Sequence, residues 1–189
     1  AKAEAKGFIE SSRESAKIGK IPVFGYITEE NQSLIIDCIG IASRSLLPQS
    51  KEWCTLYINC LDRRMNSIVP IKSAMLESGL KFRGFVVDKA YYSGFNLLQS
   101  CNWRVGMTNS RLLYSYGYFM ISNDMLSGVI ENNQYFLDFL KISLGQTVSE
   151  ISERSGISKE TLGEYARLQR VFLAQEAVTL GFLDEVVSF

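Results

Sequence analysis

The sequence predicts a single α/β domain, and three observations carry that prediction. Short apolar runs of strand length alternate with amphipathic runs of helical period from residue 21 onward. The helical runs begin at capping residues and stop at Gly or Pro. A length of 189 residues with 47% hydrophobic content encloses one sizeable core and is a prior for one domain rather than two. Strand, helix, strand, helix in this rhythm is the pattern of right-handed β-α-β crossovers.

Residues 1–20 are rich in Ala, Lys, Glu and Ser and poor in apolar side chains, so they are expected to form a flexible or conditionally ordered N-terminal arm. The folded domain is expected over 21–189. Ile21 to Ile27 reads as its first strand, followed by a helix from about Glu29 to Leu47. Thr28 is placed to cap that helix, Glu29 and Glu30 lie in its first turn, and Leu34, Ile35, Cys38, Ile39 and Ala42 form one apolar stripe. Cys54 to Asn59 is a second strand, and the next helix runs through Ile71, Ala74 and Met75 to stop at Gly79. Phe82 to Val87 is a third strand, after which Ser93-Gly94 opens a helix through Leu97 and Leu98. Ser110 to Met120 is again strand-like. Helical periodicity then dominates, and Gln134 to Leu144 is apolar over more than one face, which requires burial on two sides, in the core or between subunits.

Composition narrows the function classes. Twenty Lys+Arg balance twenty Asp+Glu, which supplies no net attraction for nucleic acid or an anionic membrane. The apolar runs fall short of the ~18–20 residues of a membrane span. Cys38, Cys54, Cys60 and Cys101 form no C-x-x-C pair, and the chain has no His to complete a mixed zinc site, so neither metal nor cofactor is expected. The thiols are expected to be reduced, although spacing alone is also compatible with two disulfides.

The absence of His matters because several segments otherwise look like a serine hydrolase. Tyr57-Ile58-Asn59 matches a Y-I-N strand end, and Met75 falls at the methionine of a following D-T-M helix. Ala90, Gly94, Leu97 and Leu98 fit a nucleophile segment A-A-S-M-G-A-F-L-L, and Asn109-Ser110-Arg111 fits the N-S-R before M-I-H. Glu176-Ala177-Val178, Gly181 and Leu183-Asp184 reproduce E-A-V-x-x-G-[LI]-[ILV]-D. In this order and at this spacing the chain resembles ClpP, the proteolytic subunit of the caseinolytic protease, from about residue 21 to 187.

The resemblance also locates what has changed. Tyr92 stands where the family has its nucleophilic Ser, Ser115 where it has its His, and Tyr165 where it has its Asp. The Ser-His-Asp triad is thereby lost. The family's S-P-G-G-S oxyanion turn is replaced by Cys60-Leu61-Asp62-Arg63-Arg64. Side chains at Asp62 and Arg63 obstruct a substrate backbone, and the Asp62 carboxylate is expected to repel a developing oxyanion. Tyr92 and Tyr165 are bulky enough to fill the former cleft.

Three rival readings are weaker. Ser93, one residue beyond the lost nucleophile, with Lys89 four residues before it, resembles a Ser–Lys dyad on paper. Its plainer reading is a helix N-cap before Gly94. Val148, Ile151, Gly156, Ile157, Ser158, Thr161 and Leu162 have helix-turn-helix spacing, but Thr147 to Arg170 carries as many acids as bases, which gives phosphate little to bind. Asp62-Arg63-Arg64 reads as a phosphate or carboxylate site, as a lining for a passing polypeptide, or as a solvated charged turn.

The resemblance implies a ClpP/crotonase-like spiral of β-β-α units with a projecting helical handle at about 122–155. It implies a heptameric ring or stacked tetradecamer, alone or with active ClpP subunits and a Clp AAA+ chaperone. Without its triad, the chain is expected to be a non-proteolytic structural or regulatory subunit similar to the ClpR paralogues. Family analogy places such chains in the stroma of a chloroplast or apicoplast, with bacterial cytoplasm as the alternative.

Overall fold

Apolar residues on alternate positions of one strand set the layout of the domain. In a computed structural model of the protein, which describes residues 2–64, 67–116 and 134–188, Cys54, Leu56, Ile58 and Cys60 of β2 (Trp53–Cys60) all point to one buried face. The partners of β2 are parallel: β1 (Lys20–Gly25) on one side and β3 (Lys81–Tyr91) on the other. With β4 (Trp103–Met107) and β7 (Glu185–Val187) they form the order β1-β2-β3-β4-β7. β3 then changes partner. Arg83 to Val86 pair with β4, whereas Lys89 to Tyr91 pair with β5 (Arg111–Leu113), which is joined antiparallel by β6 (Val171–Leu173). A register shift against Ile58 and Cys60 marks the switch, bending the strand where its far end leaves the main sheet.

The helices form for local reasons. α2 (Glu29–Leu46) starts at Thr28, whose hydroxyl accepts from the Asn31 N–H, and buries Ile35, Cys38, Ile39, Ala42 and Leu46. α3 (Val69–Glu77) has Pro70 in its first turn and is followed by Gly79 at φ 72°. α4 (Ser93–Gln99) packs so closely on the sheet that a Cβ at Gly94 would lie 2.7 Å from Cys60 Cβ, and one at Gly84 of β3 would lie 2.7 Å from Leu98 Cδ1. Only glycine permits those approaches. α5 (Gln134–Ser155) turns at Gly156 into α6 (Lys159–Leu168), and α7 (Ala174–Thr179) leads to β7.

The first twenty residues differ from the expectation of an arm. They form α1 (Lys2–Lys17), which lies along α2 and beside the edge strand β1, and Lys20 already belongs to the sheet. The low apolar content that pointed to disorder reflects a helix that buries only small side chains, Ser12 and Ala16, among those described. The Ala, Lys and Glu read as arm composition are also strong helix formers. Of the handle expected at 122–155, residues 134–155 lie within α5, and the remainder falls outside the described residues. So do the side chains that were to be buried on two sides of Gln134 to Leu144, apart from Gln134 and Asp138. The strand expected over Ser110 to Met120 is shorter: β5 ends at Leu113, residues 114–116 belong to no strand, and 117–120 fall outside the described residues.

All four cysteines are free and buried, and burial pushes the Cys54 and Cys101 thiols up to about 12. Arg104 of β4 is 3% exposed and makes a bidentate pair with Asp184, Nε to Oδ2 at 3.0 Å and Nη2 to Oδ1 at 2.7 Å. Its Nη1 donates to Gln99 Oε1 and to the Gly181 carbonyl, so one guanidinium ties α4, β4 and the C-terminal segment together. Among the described residues no helix is long and apolar enough to cross a membrane.

Candidate functional site

The switch of β3 from β4 to β5 brings two of the candidate positions, Tyr92 and Ser115, to one region. Tyr91 pairs with Leu113, so Tyr92 emerges one residue beyond that pair and Ser115 two residues beyond it, at the same end of two parallel strands. Both are buried. Tyr165, on α6, joins them indirectly: its ring lies 5.1 Å from Phe172, and Phe172 pairs with Leu112 of β5. Arg170 covers the outer side of this pair, 5.1 Å from the Tyr165 ring and 5.2 Å from that of Phe172.

Tyr92 has the most unusual backbone of the three. It sits between β3 and α4 at φ 50°, ψ −108°, outside the ordinary regions for a residue with a Cβ. The conformation is held from both ends. Its N–H donates to the Leu113 carbonyl at 3.0 Å, and its carbonyl accepts from Asn96 N–H at 3.0 Å. A sharp, strained turn from strand to helix is the geometry that presents a hydrolase nucleophile, with the next residue's N–H free to bind an oxyanion. Here the turn is present and its tip carries a 94%-buried tyrosine.

The neighbouring turn at Asp62 is closed. Ser93 N–H, the donor that such a turn offers to an oxyanion, is already bonded to the Asp62 carbonyl at 2.9 Å. The Asp62 carboxylate itself faces inward, which corrects the expectation that its charge opposes the oxyanion. It is 1% exposed and accepts from Ile27 N–H, from Arg64 N–H, and from Arg64 Nε and Nη2 at 3.0 and 3.1 Å. Arg64 Nη2 also donates to the Ile27 carbonyl at 2.8 Å. Obstruction therefore comes from a backbone carbonyl and a folded-in ion pair. The solvated reading of the turn fails for Asp62 in the same way. Arg63 alone of the three faces solvent, and its guanidinium lies 4.7 Å from the Tyr92 ring centroid, covering that ring from the solvent side.

Arg64 is the residue whose role the sequence left unassigned. Besides holding Asp62, its carbonyl accepts from Ser93 Oγ at 2.6 Å and from Ser67 Oγ at 2.7 Å. The signal for it was the Asp-x-Arg spacing, which in a tight turn lets the guanidinium reach back to the carboxylate.

The rival arrangements look different in three dimensions. Ser93 is fully buried with its hydroxyl committed to Arg64, and Lys89 is ion-paired with Asp88 at 3.3 Å. Ser93 is also not the N-cap expected of it, since that position falls to Tyr92. Cys60, at the mouth of the turn, is raised to about 11 by burial, which keeps it a thiol rather than a nucleophilic thiolate at neutral pH. In the helix-turn-helix segment, Leu162 and Ala166 of α6 face the core, and the exposed Lys159, Glu160, Glu164 and Arg167 carry both signs. Among the described residues no cluster of His, Cys, Asp or Glu is arranged to hold a metal ion. The chain matches no protein-family model and no curated protein.

Proposed function

We propose that this chain is a non-proteolytic structural or regulatory subunit of a Clp-type protease ring, built on a ClpP-like spiral fold whose catalytic cleft has been filled. The observation that carries the reading is Tyr92: a nucleophile-type turn with φ 50°, ψ −108° whose tip bears no nucleophile and whose oxyanion donor is bonded to Asp62. A strained strand-to-helix turn is the geometry of a nucleophile elbow, and finding it without a nucleophile supports a hydrolase-type scaffold whose chemistry is lost.

A second observation supports assembly. Parallel sheets are ordinarily covered on both faces. On the face of β1, β2 and β3 away from the helices, Phe24, Trp53, Tyr57 and Phe85 form an aromatic surface, with Phe24 47% and Trp53 46% exposed. A neighbouring subunit covers that surface in the proposed ring, a heptamer or stacked tetradecamer of this chain by itself or together with active ClpP subunits, which engages an AAA+ chaperone. The proposed setting is a plastid-type stroma, with bacterial cytoplasm as the alternative.

The catalytic half of the proposal is tested with a fluorophosphonate probe and fluorogenic peptides. The purified protein is expected neither to label nor to cleave, and Ser93→Ala to change nothing. Peptide cleavage removed by Ser93→Ala overturns the proposal.

A further inference from the structure

The open face of the sheet changes character from one end to the other. Where the strands start, Lys20 of β1, Thr55 of β2, Arg83 of β3 and Trp103 of β4 lie in one cross-strand row. Trp53 and Trp103 are exposed there, and the Arg83 guanidinium lies 5.8 Å from the Trp53 ring. Lys20 and Arg83 stand two strands apart, about 10 Å at the usual strand spacing. Both are exposed, and neither has an ion-pair partner among the described residues.

The acids beside this row are engaged elsewhere. Glu52 pairs with Lys81 at 2.7 Å, and Glu185 accepts from Trp103 Nε1 at 3.3 Å. The row therefore carries two unanswered positive charges next to exposed aromatic surface.

The opposite end of β1 is complementary. Six residues along, about 20 Å away, the chain leaves the strand through exposed Tyr26 and enters α2 with Glu29 and Glu30 in its first turn. Both carboxylates are exposed and lack an ion-pair partner among the described residues. Arg64 and Arg63, at the same end of the sheet, are occupied by Asp62 and by the Tyr92 ring.

We propose that Tyr26, Glu29 and Glu30 of one copy dock on the Lys20–Arg83 row of the next, the ring against the aromatic surface and the carboxylates against the two cations. A second copy as the neighbour is taken from the ring reading; the place where it docks is not. Two copies with their rows opposed set Lys20 and Arg83 against like charges, which association avoids. Docking end to row joins different surfaces, because α2 packs on the covered face of the sheet and the row lies on the open one. Each pair then leaves one free end and one free row, and repetition closes a ring or extends a filament.

Analytical ultracentrifugation of the full chain tests this with charge reversals at exposed positions, circular dichroism showing that each variant is folded. Lys20→Glu with Arg83→Glu, and separately Glu29→Lys with Glu30→Lys, are each expected to weaken self-association about a hundredfold, the effect of losing two close interfacial charge pairs. One double variant is then acidic at both sites and the other basic at both, so their equimolar mixture is expected to associate again. Self-association that ignores either double variant, or a mixture of folded variants that stays apart, overturns the docking and leaves the ring reading standing. So does an unaltered chain that is monomeric by itself but joins active ClpP. Assembly that follows the charges but builds open or non-sevenfold species supports the docking and counts against the ring.

Discussion

At the scale of single residues, two arginines hold polar joints of the molecule, Arg104 buried and Arg64 partly exposed. Arg64 folds the turn at Asp62 inward and so closes the site, while Arg104 fastens the C-terminal segment to β4 through Asp184. Removing one member of such a pair strands the other, so Arg104→Met is expected to cost about 3–5 kcal/mol in urea denaturation. Burial works against the charged form of Asp184, but the Arg104 guanidinium outweighs it and holds the carboxyl below the usual range. The folded pKa is therefore lower than the unfolded one, about 3.9. The stabilisation is fully present above that value and is lost as pH falls through the folded pKa. Thermal melts at neutral pH and near pH 3 are expected to show a smaller acid loss for Asp184→Asn than for the unaltered chain. Asp184 was legible only as one letter of a motif. Its partner was not, because a buried Arg in a five-residue strand breaks the apolar pattern that reveals strands.

At the scale of elements, the packing of α4 on the end of β2 fixes where Tyr92 stands. A methyl at Gly94 meets Cys60 Cβ at 2.7 Å, so Gly94→Ala is expected to destabilise by about 1–3 kcal/mol, measured by the denaturation midpoint. Elements with a clear apolar period were legible in advance: α2 runs from its Thr28 cap to within one residue of its expected end, and β2 and α3 fall where the pattern placed them. β3 is longer than expected because Asp88 and Lys89, polar and partly exposed, conceal the strand that continues to Tyr91. β4 escaped notice through Arg104, and β6 and β7, at three residues each, are too short for any period to show. α1 was misread because its helical character is carried by Ala, Lys and Glu rather than by an apolar stripe. Of the site, Tyr92, Ser115, Tyr165 and the Asp62 turn were legible as identities. The backbone of Tyr92, the inward Asp62 carboxylate and the Ser93–Asp62 bond required the third dimension.

At the scale of the whole molecule, the distribution of apolar surface points beyond the monomer. The helices cover one face of the parallel sheet, and Phe24, Tyr26, Trp53 and Trp103 remain between 41% and 61% exposed. With zero formal net charge, repulsion between copies is weak, and association through such a surface is favoured. The central claim joins this surface to the closed cleft: a scaffold that assembles but does not cut. Native mass spectrometry of the purified chain, alone and mixed with an active ClpP, tests it most directly. Heptameric or tetradecameric species, containing this chain by itself or together with ClpP, are the predicted result. A chain that stays strictly monomeric in both samples contradicts the account.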